Sequence, residues 1–276
     1  VLNEKEVKKL VKDRNLLPSK KLGQNFLVDE RIKRMMIEAA DIKKDDVILE
    51  IGPGLGALTK ELLNTAKKVI AVEKDPRMAD FLKDYFSGSG NLDIIQDDIL
   101  KLNNFPKRYK LIGSLPFYIT APIVRKFLEA TENKPSLIVF LVQKEVGQRI
   151  TASPPRMSIL SVSVQVYADP KIISYAKNRS FWPKPKVDSA IIKIVPLAKP
   201  RLSKKEMELF FKIVKAGFSQ PRKQLINNLS KGLKIDKKDA EEWLKENNIQ
   251  PAQRAETLFI QDWINLTKSF KFNDKA

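Results

Sequence analysis

Residues 47–59 read VILEIGPGLGALT, and no other stretch says as much about the fold. An apolar run of strand length at residues 47–51 leads directly into Gly52, Gly54 and Gly56. Glycines let the backbone turn tightly and approach a ligand closely. Helical spacing resumes at residues 57–63, so the pattern predicts a strand, a glycine-rich turn and a helix that opens with bare N–H groups facing a ligand.

The spacing of the glycines favours one class of ligand. A dinucleotide-binding loop reads G-x-G-x-x-G, whereas this loop reads E-x-G-x-G-x-G and begins with Glu50. That pattern resembles the S-adenosylmethionine (SAM) loop of Rossmann-like methyltransferases. A second apolar run ends at Glu73, where an acid can accept both ribose hydroxyls of a nucleoside. A tight turn without a ligand is the alternative, but loop and acid occur together at the expected separation.

The composition limits the chemistry. The chain has 276 residues and a net charge of +18, which predicts one or two domains and a polyanionic partner such as nucleic acid. The absence of cysteine excludes iron–sulfur radical chemistry and methylation of pyrimidine carbon 5 through a cysteine adduct. The absence of histidine excludes an imidazole base and an ordinary zinc site. We therefore expect no metal, and methyl transfer to a nucleophile that needs little help from a base.

The sequence also bears on membranes and compartment. No apolar run approaches transmembrane length, and no charged-then-apolar signal segment opens the sequence. We expect a cytoplasmic protein without a membrane partner.

Strand-like and helix-like segments alternate after the glycine loop. Apolar runs at residues 92–96, 110–113 and 136–142 are separated by helical patterns, which predicts a parallel, doubly wound sheet. Ligands of such sheets bind at the carboxyl ends of strands, where Asp97 and Ser114 also fall. Asp97 can bond the amino group of the cofactor's adenine, and a simple strand-end turn is the alternative.

The pattern becomes wholly helical after residues 196–200. We predict an α/β Rossmann-like SAM-binding catalytic domain at residues 1–197, with helices on both faces of its sheet. A small all-α RNA- or ribosome-recognition domain follows at residues 198–276. In that domain Ser203 opens a first helix through a capping box, Pro221 starts a second and Asp236 caps a third.

Three further segments carry side chains suited to ligands. Residues 22–27, LGQNFL, can hydrogen-bond and cover a small ligand, unless they are only a polar loop. Residues 181–189, FWPKPKVDS, combine stiff prolines, stacking faces and lysines, unless they are a rigid connector. Residues 220–224, QPRKQ, with Asn227 and Asn228, can contact phosphates or form a solvated helix face. The candidate phosphate contacts are Lys184, Lys186, Arg222 and Lys223.

Residues 114–117, SLPF, follow the fourth predicted strand. Methyltransferases that act on exocyclic amines carry an Asn/Asp/Ser-x-Pro-aromatic motif at this place. The N6 lone pair of adenine is delocalised, so an oxygen side chain and a backbone carbonyl are needed to accept its N–H groups. The aromatic ring stacks on the extruded base, and alignment with the sulfonium methyl supplies much of the rate. The candidate catalytic residues are Ser114, Leu115, Pro116 and Phe117.

A resemblance to one family extends over nearly the whole chain. Its stretches are residues 22–27, 50–58, 114–117, 143–146, 181–189, 218–229 and 254–256. Together they are similar to the small-subunit ribosomal RNA adenine dimethyltransferases of the KsgA type. The resemblance implies SAM as methyl donor and four methyl transfers to N6 of two adjacent adenosines near the 3′ end of small-subunit rRNA. It also implies base contacts at Ser114, Phe117 and Phe181. With the loop residues above, the candidate cofactor contacts are Gln24, Asn25, Leu27, Gly52, Gly54, Gly56, Glu73, Asp97 and Ser114.

The sequence departs from the family at several positions and leaves rivals open. Ser114 stands where the family usually has Asn, and serine there resembles enzymes that methylate cytosine N4. One alternative is the related large-subunit rRNA adenine methyltransferase of macrolide resistance. Another is a SAM-binding ribosome-assembly or transcription factor with weak or no catalysis. The leading interpretation implies a monomer that acts on a 30S-type assembly intermediate during ribosome biogenesis.

Overall fold

The computed structural model describes residues 3–116 and 119–271, in two units. The first unit comprises Val1–Gln148 and Asp169–Pro196, and the second comprises Arg149–Ala168 and Leu197–Ala276. The predicted division after residue 197 therefore misses Arg149–Ala168. In that segment Met157 and Val162 belong to the same hydrophobic core as Phe210 and Trp263. A short apolar helix carries no local signal of which core it will join, so the sequence pattern could not assign it.

The first unit is built on strands that the sequence pattern largely anticipated. The seven-stranded sheet has the order β4-β3-β2-β5-β6-β9-β7, and β1 and β8 form a separate antiparallel pair. The strand bounds are β1 Phe26–Leu27, β2 Val47–Ile51, β3 Lys68–Glu73, β4 Leu92–Gln96, β5 Lys110–Ser114, β6 Leu137–Gln143, β7 Ala168–Ala176, β8 Phe181–Trp182 and β9 Ser189–Pro196.

The glycine-loop strand β2 lies inside the sheet, with parallel neighbours β3 and β5. Ile48, Leu49 and Ile51 are buried, as expected for a parallel strand with both faces covered. The predicted parallel pairing is confirmed from β4 to β6, and the later strand β9 adds an antiparallel neighbour to β6. A parallel neighbour would need a crossover connection, and the chain instead enters β9 from the β7–β8 region.

Helices of the first unit begin at side-chain caps where the sequence offers them. Asp29 accepts the backbone N–H of Arg31 at 3.0 Å at the start of α2, as predicted. The helix after the glycine loop starts at Thr59, two residues later than expected, and is short. The bounds are α1 Glu4–Asp13, α2 Glu30–Ala40, α3 Thr59–Leu63, α4 Pro76–Tyr85, α5 Thr120–Arg125 with a π-helical continuation Lys126–Ala130, and α6 Lys144–Ile150.

The described part of the second unit is helical. The predicted capping box at Ser203 is confirmed, since its N–H donates to Glu206 Oε2 at 2.7 Å. The predicted helix start at Pro221 is wrong, because Asn228 Nδ2 donates to the carbonyls of Gly217 and Gln220 and holds a turn there. The bounds are α7 Ile159–Gln165, α8 Lys204–Gly217, α9 Leu225–Leu233, α10 Lys237–Glu246 and α11 Ile260–Ser269. Among the described residues of both units, no helix is long and apolar enough to span a membrane.

Candidate functional site

A cavity opens at the carboxyl ends of β2, β3 and β5, and we call it the strand-end cavity. Its wall includes Gly52 and Gly54, whose φ angles are +65° and +57°. A Cβ atom on Gly54 would make only an ordinary contact with the Phe26 ring at 3.4 Å, so the positive φ angles are what favour glycine along this loop. The bare loop therefore forms one wall of the cavity, as the sequence pattern predicted.

Most of the predicted site residues meet at this cavity. Those that line it are Gln24, Asn25, Leu27, Gly52, Gly54, Glu73, Asp97, Ser114, Leu115, Pro116 and Phe181. Gly56 and Lys184 are not among the lining residues, and Lys186 lines a separate depression. Arg222 and Lys223 are exposed in the second unit. Phe117 lies outside the described residues.

Glu73 ends β3 and is held by backbone donors. Its Oε2 accepts the N–H of Gly54 at 3.0 Å, and its Oε1 accepts the N–H of Asp75 at 2.9 Å. The residue is only 6% exposed, and burial raises the pKa of Glu73 while these N–H groups oppose that rise. The carboxylate is thus fixed in the cavity wall with both oxygens oriented.

Glu50 is a second carboxyl at the cavity, and the sequence pattern gave it no role beyond its place in the motif. It is 1% exposed, and Thr59 Oγ1 donates to its Oε2 at 2.7 Å. Burial raises the pKa of Glu50 to about 8, and the neighbouring charge of Glu73 acts in the same direction. Glu50 therefore carries a proton near neutral pH, opposite to the usual state of a glutamate.

The Gln24 side chain is used within the protein. Its Nε2 donates to Asp75 Oδ2 at 3.0 Å, and its Oε1 accepts the N–H of Ser19 at 2.7 Å. Arg77 bonds the same Asp75 carboxylate at 2.6 Å and is the main cause of its lowered pKa. Gln24 was expected to contact the cofactor, but its side-chain hydrogen bonds connect residues 19–24 to the start of α4. Asp75 and Arg77 were missed by sequence reasoning, although Asp75 stands at the recognisable N-cap of that helix.

Two segments that are far apart in sequence form one wall. The β1–β8 pair places Leu27 opposite Phe181 and Phe26 opposite Trp182. Ser180 Oγ donates to Asp29 Oδ2 at 2.7 Å and fastens the pair to the start of α2. Phe181 is 6% exposed and reaches the cavity from the hydrophobic core, whereas the Trp182 ring stacks on Phe26 with centroids 6.5 Å apart. Only Phe181 of these two aromatics faces a possible ligand in the cavity.

Ser114 and Leu115 stand where β5 ends. The N–H of Leu115 donates to the carbonyl of Leu141 at 3.0 Å, which continues the pairing of β5 with β6 past the strand end. The Pro116 carbonyl accepts the N–H of Ile119 at 3.3 Å and the hydroxyl of Thr120 at 3.4 Å. These bonds position the described start of the motif at the edge of the cavity.

Gly56 has a packing role. Its φ is +79°, and a Cβ atom there would lie 2.6 Å from Phe86 and 3.1 Å from Leu82. The glycine lets the loop lie against the side chains of α4 and the residue that follows it. Sequence spacing alone does not distinguish a glycine that admits a ligand from one that admits a neighbouring side chain.

The lining of the cavity fits SAM. The bare glycine loop offers close backbone approach, and the acids Glu73 and Asp97 suit a ligand that carries ribose hydroxyls and positive groups. Leu27, Ile99 and Leu141 supply apolar surface for a base. No group of three His, Cys, Asp or Glu side chains that could hold a metal ion occurs in residues 3–116 and 119–271.

Comparison with known sequences identifies relatives. Residues 17–271 match the family model described as ribosomal RNA adenine dimethylase. A ribosomal RNA small subunit methyltransferase A from Dehalococcoides mccartyi is 41% identical over 266 residues, which are 94% of this chain and 90% of that protein. The protein of the same name from Clostridium acetobutylicum is 39% identical over 273 residues, which are 96% and 98% of the two chains.

Comparison with solved structures identifies similar folds. A dimethyladenosine transferase from Plasmodium falciparum has a TM-score of 0.77 and 28% identity over 87% of this chain and 95% of its own. The 23S rRNA methyltransferase ErmE has a TM-score of 0.76 and 28% identity over 89% of this chain and 99% of its own. Both similarities support the predicted Rossmann-like methyltransferase fold with a helical carboxyl-terminal region.

Proposed function

Since this chain belongs to the ribosomal RNA adenine dimethylase family, we propose that it transfers methyl groups from SAM to N6 of two adjacent adenosines near the 3′ end of small-subunit rRNA. The reaction would deliver four methyl groups in total. The observation that carries this proposal is the opening of Ser114, Leu115 and Pro116 into the same cavity as the glycine loop and Glu73.

The choice of the small subunit rests on sequence rather than on fold. The fold is as similar to a large-subunit enzyme as to a dimethyladenosine transferase. The relatives with about 40% identity over nearly the whole chain are instead named for the small subunit. Differences within one fold reside in the site and the recognition surface, so the closer sequence match favours small-subunit rRNA.

The cofactor would be held by the chain in four ways. Gly52 and Gly54 would offer close backbone approach, and Glu73 would accept the ribose hydroxyls. Asp97 would accept from the adenine amino group, while Asn25 and Leu27 would cover the bound molecule. SAM supplies a methyl group on a positively charged sulfur. The packing of Phe181 and Leu27 against each other across β1 and β8 would exclude water from that methyl.

The target adenine would be held at the end of β5. The Ser114 hydroxyl would accept one N6–H, and the Leu115 carbonyl would accept the other because the Pro116 carbonyl already accepts from Ile119 and Thr120. The base would stack on Phe117 and contact Phe181 after it leaves its neighbours. Holding the nitrogen in line with the methyl group would supply much of the rate, which suits a chain that has no histidine base.

The rRNA would be held by basic side chains outside the cavity. Lys184, Lys186, Arg222 and Lys223 are exposed, and phosphate contacts of this kind make binding dependent on salt. The helical second unit would recognise the RNA or ribosome. We propose that the substrate is a 30S-type assembly intermediate, and that the protein acts on it as a monomer in the cytoplasm.

One observation favours a second candidate function. Ser114 is shorter than the asparagine that the resemblance leads one to expect, so the amine would be held less firmly. A SAM-binding assembly factor with weak or no catalysis would keep the cavity and the basic surface while losing efficient transfer.

A methylation assay distinguishes the candidates. Unmethylated small and large ribosomal subunits would be incubated separately with the protein and SAM, and their rRNA digested for mass spectrometry. We expect N6,N6-dimethyladenosine in small-subunit rRNA only. Product in the large subunit alone would favour the macrolide-resistance type, and SAM binding by calorimetry with no product in either subunit would favour the assembly factor.

A further inference from the structure

We infer that Tyr175 and Lys144 form a platform outside the strand-end cavity on which a nucleotide flanking the target adenosine stacks. This inference rests on the proposed function, because it extends the path of the same RNA strand. We call the group of Lys144, Tyr175, Lys177 and Lys186 the Tyr175 platform. Its ligand is a single-stranded RNA base with its phosphates.

The centre of the platform is an exposed aromatic ring. Tyr175 lies on β7, the last strand in the sheet order, and is 47% exposed. Lys144 Nζ lies 5.3 Å from the centroid of its ring. A cation over a flat ring combines a stacking surface with a charge for phosphate, which is the combination that binds single-stranded nucleic acid with little regard to sequence.

Hydrogen bonds of Asp188 hold together the segments that carry the platform. The backbone carbonyl of Asp188 accepts the N–H of Lys144 at 3.0 Å. The side-chain oxygen Oδ1 of Asp188 accepts the N–H of Asn178, also at 3.0 Å. Its Oδ2 bonds Lys177 Nζ at 3.1 Å. The Asn178 N–H is the largest cause of the lowered pKa of Asp188, followed by Lys177. Asp188 thus connects the start of α6 through its backbone carbonyl, and the chain after β7 through its carboxylate, to the loop at residues 183–188.

The platform adjoins the strand-end cavity through one short segment. Pro185 and Ser189 line the cavity, while Lys186 and Asp188 between them line a neighbouring open depression together with Lys144. Ser189 is also the register partner of Gln143, the residue before Lys144. A strand that leaves the cavity over residues 185–189 therefore passes Lys186 and Lys144, and Lys144 Nζ in turn lies over the Tyr175 ring.

The charge of this surface suits RNA. Residues 144–148 and 171–188 carry two acids, Glu145 and Asp188, against the six basic residues Lys144, Lys171, Lys177, Arg179, Lys184 and Lys186. All six basic side chains are exposed. An acidic protein would also complement this positive charge, but the exposed ring of Tyr175 beside the basic side chains favours an unpaired base.

The test is an abasic scan. A short fluorescent single-stranded RNA with two adjacent adenosines at its centre is compared with versions that lack one flanking base at a time. We expect one position at which losing the base weakens binding to the parent protein about tenfold, as loss of one stacked base does. At that position Tyr175→Ala should bind the intact RNA about tenfold more weakly and lose nothing further when the base is removed.

Matched variants separate stacking from other effects. Tyr175→Phe keeps the ring and should bind like the parent, whereas Tyr175→Leu keeps apolar bulk without a flat face and should behave like Tyr175→Ala. Ile173→Ala removes a similarly exposed side chain from the same strand and should leave RNA binding unchanged. Lys144→Ala should reduce the slope of log affinity against log salt by about 0.7, the loss of one single-strand phosphate contact.

The outcomes distinguish this inference from the proposed function. Equal losses in the parent and Tyr175→Ala at every abasic position, in a protein that methylates small subunits, would overturn the platform alone. Full binding by Tyr175→Leu would do the same. A parent protein that neither binds the RNA nor methylates the subunit would overturn both.

Discussion

The carboxylate of Glu73 accepts the backbone N–H of Gly54 at 3.0 Å. This bond joins the acid at the end of β3 to the glycine loop after β2, two features that the sequence pattern identified separately. The second oxygen accepts the N–H of Asp75 and so also fixes the start of α4. Loss of the carboxylate would therefore disturb the loop as well as any direct contact with the cofactor.

Replacing Glu73 should weaken SAM binding. Glu73→Ala removes a charge-assisted contact worth about 1.5–3 kcal/mol, so the affinity should fall roughly tenfold or more. Glu73→Gln should also weaken binding, because an amide nitrogen cannot accept the N–H that an oxygen of Glu73 accepts. Calorimetric titration with SAM measures both, and Asp93→Asn, at an exposed acid on β4, is the control. Parent-like affinity in Glu73→Ala would remove Glu73 from the cofactor site.

The buried Glu50 should make stability fall as pH rises. Its pKa is about 8 in the folded protein, against a reference value of 4.5. Between these values the unfolded chain releases a proton that the folded chain keeps, so rising pH favours unfolding. The contribution is fully present below about pH 4.5, is lost at up to about 1.4 kcal/mol per pH unit, and levels off above about pH 8.

Denaturant midpoints across this pH range would measure the effect. Glu50→Gln can still accept a hydrogen bond from the Thr59 hydroxyl, but its side chain does not titrate. As pH rises, the denaturant midpoint of the parent should therefore fall relative to that of Glu50→Gln. Glu145→Gln, at an exposed position on α6, should follow the parent profile. A parent and a Glu50→Gln variant with parallel profiles would show that Glu50 is already ionised in the folded state.

Variants of Ser114 test whether its hydroxyl positions the target amine through a hydrogen bond. Ser114→Ala should lower the methylation rate at least tenfold, because a misplacement of about 1 Å can cost on the order of a hundredfold. Ser114→Asn should keep or raise activity, since the longer amide reaches the amine more firmly. The second transfer should suffer most in Ser114→Ala, because a monomethylated amine has one N–H left to hold.

A time course of mono- and dimethyladenosine for the three proteins measures these effects. Circular dichroism should show that all of them fold, since Ser114 ends a strand and is only partly buried. A Ser114→Ala rate and product ratio equal to the parent's would leave the hydroxyl without a catalytic role.

Gly52 and Gly56 should respond differently to alanine. In Gly56→Ala the new methyl would meet Phe86 at 2.6 Å, so we expect a loss of about 1–3 kcal/mol in unfolding free energy. At Gly52 the nearest atom would be 3.9 Å away, so Gly52→Ala should chiefly weaken SAM binding and add the smaller backbone strain of positive φ. Gly56→Ala should cost less stability in a Phe86→Ala background than in the parent, because the ring that the new methyl would meet is gone. Equal stability losses in the two single variants would contradict this division of roles.

Much of the fold could be predicted from local sequence patterns. The apolar run before the glycines predicted β2, the acid at the end of β3 predicted a ligand-facing carboxylate, and Ser203 predicted the capping box that opens α8. Each of these depends on neighbours within a few residues, where periodicity and capping act. The antiparallel place of β9 and the turn at Pro221 depend instead on contacts with residues outside the local pattern.

The amino-acid sequence was enough to predict the class of sheet, the glycine loop and, through its lack of histidine and cysteine, a chemistry without an imidazole base or a thiolate. Tertiary structure decided which of these residues share a wall. It placed Leu27 opposite Phe181, turned Gly56 toward Phe86, and buried Glu50 beside Glu73 so that it keeps a proton. The physical reason is that burial, local dielectric and close packing arise from residues that are distant in the chain and meet only when it folds.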